Sequence, residues 1–331
     1  MEIFGILPTG EEIYSFKLKS DNAEAEIISY GATLRSFCPF GQEIAGGFAT
    51  LDEYVARGKY YGASVGRVCN RIVGGAFEID GVRYELSKNN GEHCLHGGSD
   101  AYHDKPWQPI SYSDNSVTLG YTSPDGQSGF PGEVNIRVTF ELVGSSLSVT
   151  YRAVPTKKTP IMITSHGFFN LAGFGNDVLD HTLWIYATEY TEVDDKRFPT
   201  GRRIPVADTF LDFTAPRKIG DRIGESPVGY DHNFILSPSE FISHGGRDLG
   251  LAAEVLSNEI KFSAYTDQPG MQLYVPMREH SMPQKDGSRQ VAYGAFCLEM
   301  QIEPDCVRRG IGFVEAGEEY VSTTVYAAER I

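Results

Sequence analysis

"VNIRVTFEL", residues 134–142, decides the fold class. Its apolar residues, Val134, Ile136, Val138, Phe140 and Leu142, recur at every second position, and Asn135, Arg137, Thr139 and Glu141 fill the positions between. Successive side chains of an extended chain point to opposite faces, so this stretch predicts a strand with one buried and one wet face. "VGSS" (143–146) follows, and "LSVTYRA" (147–153) alternates again through Leu147, Val149 and Tyr151. Two alternating runs around a glycine turn predict a hairpin. "SVTLGYTS" (116–123) and "EYVSTTVYAAE" (319–329) show the same period. Turn signals recur at Asp80-Gly81, Asn89 to Gly91, Asp125-Gly126, Pro131-Gly132 and Pro269-Gly270, where Gly and Asn supply the positive φ of tight turns. "LDEYVARG" (51–58) supports a turn or two of helix and no more. Many short strands between Gly/Pro turns predict an all-β chain, a large antiparallel sandwich or barrel. No Ser/Gly tract or charge block marks a linker. "SPSEFISHGGRDLG" (237–250) reads as the most loop-like stretch, an excursion over the surface. The expectation is a single domain over residues 1–331.

Composition narrows the function classes. The chain has 331 residues, 41% of them hydrophobic, and a formal charge of -15. That charge repels phosphate backbones and anionic lipid, so nucleic acid and membranes are not expected as partners, whereas a neutral small molecule suffers no penalty. The five cysteines, Cys38, Cys69, Cys94, Cys297 and Cys306, are odd in number and widely spaced. They read as reduced thiols rather than a disulfide framework or zinc ribbon. "MEIFGILPTGEEIY" (1–14) does not read as a signal peptide, and no window offers the ~18 uninterrupted apolar residues of a membrane span. The expected location is cytoplasmic.

Several polar residues sit in unusual local settings. "GRVCNRIVGG" (66–75) sets Asn70 and Arg71 among apolar residues; a guanidinium buried there needs partners, but one at a strand end simply reaches water. "HCLHGG" (93–98) follows His96 with two glycines, which permit close approach of backbone to a ligand or make an ordinary turn. His93 and His96, three apart and without a second ligand set, are a weak metal signal. "ITSHGFFNL" (163–171) puts His166 in a β-branched and aromatic run, where a satisfied core histidine is the ordinary alternative to a proton donor. "GYDHNF" (229–234) holds Asp231, which an Asx-turn would also explain. In "AYGAFCLEMQIEP" (292–304), Phe296, Leu298, Met300 and Ile302 share one face; Tyr293, Cys297, Glu299 and Gln301 share the other, which faces either solvent or a polar pocket.

Taken singly, each of these signals favours its ordinary alternative. Their order along the chain does not. Asn-Arg, then His-Gly-Gly, then Ser-His-x-x-x-Asn-Leu, then Tyr-Asp-His, then Leu-Glu-x-Gln resembles the aldose 1-epimerase (galactose mutarotase) family. The resemblance starts near "AEIISYGATLRSF" (25–37) and takes in "SPDGQSGFPGEV" (123–134), "EYTEVDDKRFPTGRRIPV" (189–206) and "TDQPGMQLYV" (266–275). It ends at "GEEYVSTTVY" (317–326).

This resemblance implies a large antiparallel β-sandwich of the galactose mutarotase type, the supersandwich. It also implies an isomerase of carbohydrate and hexose metabolism that interconverts the α and β anomers of free aldoses such as galactose and glucose. Opening a cyclic hemiacetal needs a proton taken from the C1 hydroxyl and one given to the ring oxygen, so one base and one acid suffice. By resemblance Glu299 is the base, His166 the acid and His96 a second catalytic histidine near the ring oxygen. Asn70, Arg71, Asp231 and Gln272 are implied to bind the sugar hydroxyls. No cofactor and no metal are implied, the partner is a small-molecule sugar, and the assembly is a monomer or homodimer. An unperturbed carboxyl pKa of ~4.3 suits a base and an imidazole pKa of ~6.5 suits an acid. Trp107 matches a family Trp and is expected to pack. Where the family has His-Ser-Tyr-Phe-Asn, this chain has His166-Gly167-Phe168-Phe169-Asn170, losing two hydroxyls. After Tyr274 the family commonly has Thr-Gly; "VPMREHSMPQKDG" (275–287) stands here. "CVRRGIGF" (306–313) replaces an Asn/Pro-rich run.

Three other readings stay open. A hexose-phosphate 1-epimerase would need cations on a phosphate, with Arg202-Arg203 and Arg308-Arg309 as candidates. A glycoside hydrolase would pair Asp231 with Glu299. A sugar-binding module would have no use for a proton-transfer pair.

Overall fold

The computed structural model describes residues 1–257, 259–280 and 283–331, and for Arg57 the backbone alone. "VNIRVTFEL" lies in the strand Val134–Val143. Val134, Ile136, Val138, Phe140 and Leu142 are all buried, and Asn135 and Arg137 are exposed. The strand pairs antiparallel with Ser146–Pro155, from Val134 opposite Pro155 to Val143 opposite Ser146, which is the expected hairpin. Its turn places Gly144 at φ 58°, a conformation that costs glycine little.

Around this hairpin runs a ten-stranded antiparallel sheet. From one edge its order is Gln108–Tyr112, Ser116–Ser123, Val134–Val143, Ser146–Pro155, Tyr320–Arg330, Ile260–Thr266, Arg247–Ser257, Thr182–Ile185 and Arg217–Lys218, with Phe241–His244 added on Arg247–Ser257. A four-stranded sheet, Glu2–Ile6, Glu12–Lys19, Ala23–Ile28 and Thr33–Pro39, contributes Phe16, Leu18 and Ile27 to the cluster that holds Val138 and Phe140. A five-stranded sheet, ordered Pro199–Pro205, Ala187–Val193, Asp231–Leu236, Gly270–Tyr274 and Cys297–Gln301, adds Phe234, Leu273, Leu298 and Met300 to the same cluster, beside Phe262 and Tyr326 of the large sheet. Sheets packed face to face, each burying one side, make the expected all-β sandwich. Burial of such side chains stabilises by about 1.5–3 kcal/mol each before conformational entropy is counted.

"LDEYVARG" forms the helix Leu51–Arg57, opened by a capping box in which Thr50 and Glu53 each bond the other's backbone N–H. The loop reading of "SPSEFISHGGRDLG" needs correction. Phe241–His244 is a strand paired with Arg247 to Gly250, closed by Gly245 and Gly246 at φ 56° and 77°. Two glycines between short runs are a hairpin signal. Here the signal is hidden because Phe241 and Ser243 are exposed and the edge strand has no clean buried face.

Candidate active site

Glu299 sits mid-strand in Cys297–Gln301, directly opposite Gln272 of Gly270–Tyr274. Leu298 and Met300 point into the core. The pleat therefore turns Glu299 to the other face, where it is only 2% exposed. That face is a pocket, which resolves the choice the alternation left open. On the next strand Gln272 opposes Asn233 and Tyr274 opposes Asp231. Gln272 Nε2 donates to Asp231 Oδ1 at 2.6 Å. Asp231 Oδ2 receives Arg71 Nη2 at 3.3 Å and lies 3.7 Å from Arg197 Nη1.

His166 follows the strand Thr164–Ser165, which pairs with Ser64–Val65. Its N–H donates to the Ala63 carbonyl and its carbonyl accepts from Gly62 N–H, both at 2.9 Å. This fixed backbone puts His166 Nε2 3.5 Å from Glu299 Oε1.

Asn70 and His96 lock each other. Their flanking strands, Arg71–Ile72 and Cys94–Leu95, pair. His96 N–H donates to the Asn70 carbonyl at 3.0 Å, and Asn70 N–H donates to His96 Nδ1 at 3.1 Å. Asn70 Oδ1 then accepts Arg71 N–H at 2.8 Å. Both residues hold left-handed backbone, φ 58° and 50°, a strain that concentrates at functional sites. With Nδ1 accepting, the neutral imidazole of His96 carries its proton on Nε2, as assigned from this bond. The first glycine after His96 serves backbone contact: a Cβ on Gly97 would stand 1.8 Å from the Gly66 carbonyl oxygen.

Glu299, His166, His96, Asn70, Arg71, Asp231 and Gln272 all line one cavity of about 720 Å³. Glu299 Oε2, Gln272 Oε1, Arg71 Nε and His166 Nδ1, all on residues that line it, are buried without a hydrogen-bond partner among the described residues. Unpaired buried polar atoms are costly, and four on one cavity's lining are what a hydroxyl-rich ligand satisfies. Trp107 packs as expected, buried in the core with its indole N–H on the Tyr102 carbonyl at 3.2 Å. His93 is not in the cavity wall; it accepts Gly74 N–H on Nδ1 at 3.0 Å and lies tilted against Phe198.

Burial sets the charge states. It pushes the Glu299 carboxyl up from 4.5 to about 8, helped by the nearby Asp231 carboxylate and opposed by Arg71. It pulls the His166 imidazole down from 6.5 to about 4. His96 is held well below its ordinary value, by burial first and by His166 second. Burial thus runs against the ionised base and protonated acid expected from unperturbed values. It favours the neutral form of both partners, with the proton of the Glu299–His166 pair on the carboxyl rather than on the imidazole. His96, His166 and Glu299 also offer ligand atoms within 4.8 Å of one another, a donor set a divalent cation accepts.

Sequence reasoning passed over Lys59, Tyr60, Tyr61, Arg197 and Gln290, which also line the cavity. Arg197 follows "DDK" in a turn at φ 69°, and nothing in its local pattern points inward. Phe168 lines the wall where the resemblance lapses, as do Val275 to His280; Ser281 and Met282 of that stretch lie outside the described residues. The arginines put forward for a phosphate lie outside the cavity wall. Arg202 is paired with Glu192, Arg203 and Arg309 with Glu303, and Arg308 with Asp305.

Comparison with known proteins agrees with this geometry. The family description "Aldose 1-epimerase" matches residues 14–327. Galactose mutarotase of Sus scrofa is 36% identical over 97% of this chain and 96% of its own length, and that of Homo sapiens is 35% identical over the same shares. Aldose 1-epimerase of Escherichia coli is 31% identical over 91% of this chain and 90% of its own. The aldose epimerase homologue of C. elegans superposes with a TM-score of 0.88 at 24% identity, over 96% of this chain and 99% of that one, which shows the shared fold. The ordered motifs, the sheets and a cavity that gathers all seven expected residues converge with these likenesses, and the chain belongs to the aldose 1-epimerase family.

Proposed function

We infer that this protein is an aldose 1-epimerase that interconverts the α and β anomers of free aldoses such as galactose and glucose. The observation that carries the reading is the buried Glu299–His166 pair, 3.5 Å apart, beside unpaired hydroxyl-binding groups. Ring opening removes a proton from O1, breaks the C1–O5 bond and delivers a proton to O5. A pair with one proton does both: one partner gains a proton as the other loses one, and its total is unchanged. A sugar donating its O1–H to Glu299 and accepting at O5 from His166 favours the carboxylate and the imidazolium, drawing the resting proton across to His166. The open aldehyde turns about C1–C2. Reclosure runs in reverse on the other carbonyl face, and the O5 proton returns to the protein as one goes back to O1.

In this reading His96 Nε2–H donates near the ring oxygen, in a site dry enough for such donors to count for more than in water. Asp231 and Gln272 accept from ring hydroxyls, and Asn70 and Arg71 fix the sugar's register. Asp231 is paired with Arg71 and Arg197, which suits hydroxyl binding better than the proton cycling of a hydrolase. We also place the activity in one cytoplasmic domain over residues 1–331, monomeric or homodimeric, within hexose metabolism. The five unpaired cysteines and one core cluster running from Phe16 to Ala328 support this placement. Proton NMR exchange spectroscopy on equilibrated glucose, galactose and xylose tests the reaction. Exchange cross-peaks between the α and β anomeric protons should appear on adding protein. Cross-peaks no stronger than in buffer for all three sugars would contradict it.

A further inference from the structure

Four rings stand nearly face to face through the proton-transfer corner. Tyr60 and His166 lie 6.2 Å apart at 17°, His166 and Phe168 5.1 Å apart at 15°, and Phe168 and Tyr61 4.1 Å apart at 8°. The imidazole is an interior member of this column. Its backbone is fixed by the bonds to Ala63 and Gly62, but the ring turns on a terminal torsion with broad wells, so its facing contacts decide its orientation. Phe168 has no polar handle, and its own orientation depends on the next ring. Tyr61 ends the dependence. Its hydroxyl donates to Gln290 Oε1 at 2.6 Å and accepts from Gln284 Nε2 at 3.0 Å. Gln284 Oε1 accepts the Gly47 N–H at 3.0 Å. Tyr61, Gln284 and Gln290 are all buried. Gly46 makes room for the hydroxyl, since a Cβ there would stand 2.3 Å from it.

Both glutamines come from the strap 276–293, whose residues Met277 to His280 also line the cavity. The strap is closed at its base by Tyr293 N–H on the Pro276 carbonyl and tied near its tip by Lys285 N–H on the Gly47 carbonyl, both at 2.7 Å. A polar anchor in the wall therefore reaches the imidazole through two apolar contacts.

We propose that Tyr61 is a positioning residue for His166: its hydroxyl, held by Gln284 and Gln290, fixes the ring column that aims the imidazole Nε2 at Glu299. The proposal rests on the reading of His166 as a proton-transfer group. The titratable and charged groups around that imidazole are Glu299, His96, Asp231, His103, Tyr60 and Tyr274, and none is altered in the variants below.

The test compares wild type with Tyr61→Phe and Gln290→Leu by polarimetry with galactose over the pH range. A slightly misaimed catalytic group costs about tenfold or more in rate. Both variants should therefore lose about tenfold in kcat; Tyr61 and Gln290 line the cavity, but the Tyr61 hydroxyl is taken up by Gln290 and Gln284, so KM should stay within about twofold. The acid limb of the profile should also move up as the imidazole loosens from its dry setting. Gln290→Asn, which keeps the amide, should recover part of the loss. Wild-type kcat with an unmoved acid limb in both folded variants, or a rise in KM alone, would overturn the proposal. If wild type itself fails to interconvert anomers, it is the functional reading that fails instead.

Discussion

Glu299 was half legible in the sequence. The period of two assigned it to the face opposite Phe296, Leu298 and Met300, and the structure keeps that assignment. Whether the face met water or a pocket depends on what covers it, and no pattern within the strand encodes a neighbour more than a hundred residues away. The same holds for His166, whose role depends on lying 3.5 Å from that carboxylate. Replacing Glu299 by Gln removes one of two proton-transfer groups. We predict a loss of about 10²–10⁴ in kcat, measured by polarimetry, with galactose binding retained in calorimetry. The same variant carries a stability prediction. Glu299 has a folded pKa near 8, above its ordinary 4.5. Its contribution is therefore full below 4.5 and lost as the pH rises through 8. Ionising a carboxyl that the fold holds neutral costs about 1.4 kcal/mol for each pH step between those two values, so Glu299→Gln should be the more stable protein at pH 8. Melting curves should show the gap close toward pH 4.5; a gap independent of pH would contradict the assignment.

At the scale of elements, the long central hairpin and the short helix were readable because each has one buried face and a clear start and stop. The edge hairpin at 241–250 and the strap at 276–293 were not. The first buries little, and the second is held by side chains, Gln284, Gln290 and Lys285, reaching backbone and Tyr61 far away in sequence. The His-Gly-Gly turn shows how an element carries function indirectly. Gly97, at φ 89° and pressed on the Gly66 carbonyl, lets the 70–96 pairing close and so places His96 and Asn70 together. Gly97→Ala should cost at least about 3 kcal/mol, since backbone strain and a clash combine. Denaturant melts measure this directly, and kcat/KM in the surviving folded fraction should fall as His96 is displaced.

The site as a whole exists only once the chain has closed. Its residues come from segments around 60, 70, 96, 166, 197, 231, 272 and 299, brought together where the five-stranded sheet meets the connecting segments at its face. The family pattern made Asn70, Arg71, His96, His166, Asp231, Gln272 and Glu299 legible as a set, but not Tyr60 or Arg197; the charge states were not legible either, because burial inverted the ordinary preferences of Glu299 and His166. Among the described residues no helix is long and apolar enough to cross a membrane. Since the pair itself supplies both proton transfers, dialysis against EDTA should leave the mutarotation rate unchanged, and a loss restored by one divalent ion would assign His96, His166 and Glu299 a ligand role instead. The central claim is that one proton shared by Glu299 and His166 drives anomer exchange. Its most direct test is the pH dependence of kcat/KM for freshly dissolved α-galactose, followed by polarimetry. Below about 4 the pair holds two protons and lacks a base; above about 8 it holds none and lacks an acid. The account predicts a bell with limbs near those values; a rate that stays flat from pH 7 through pH 10, or one no faster than buffer throughout, would contradict it.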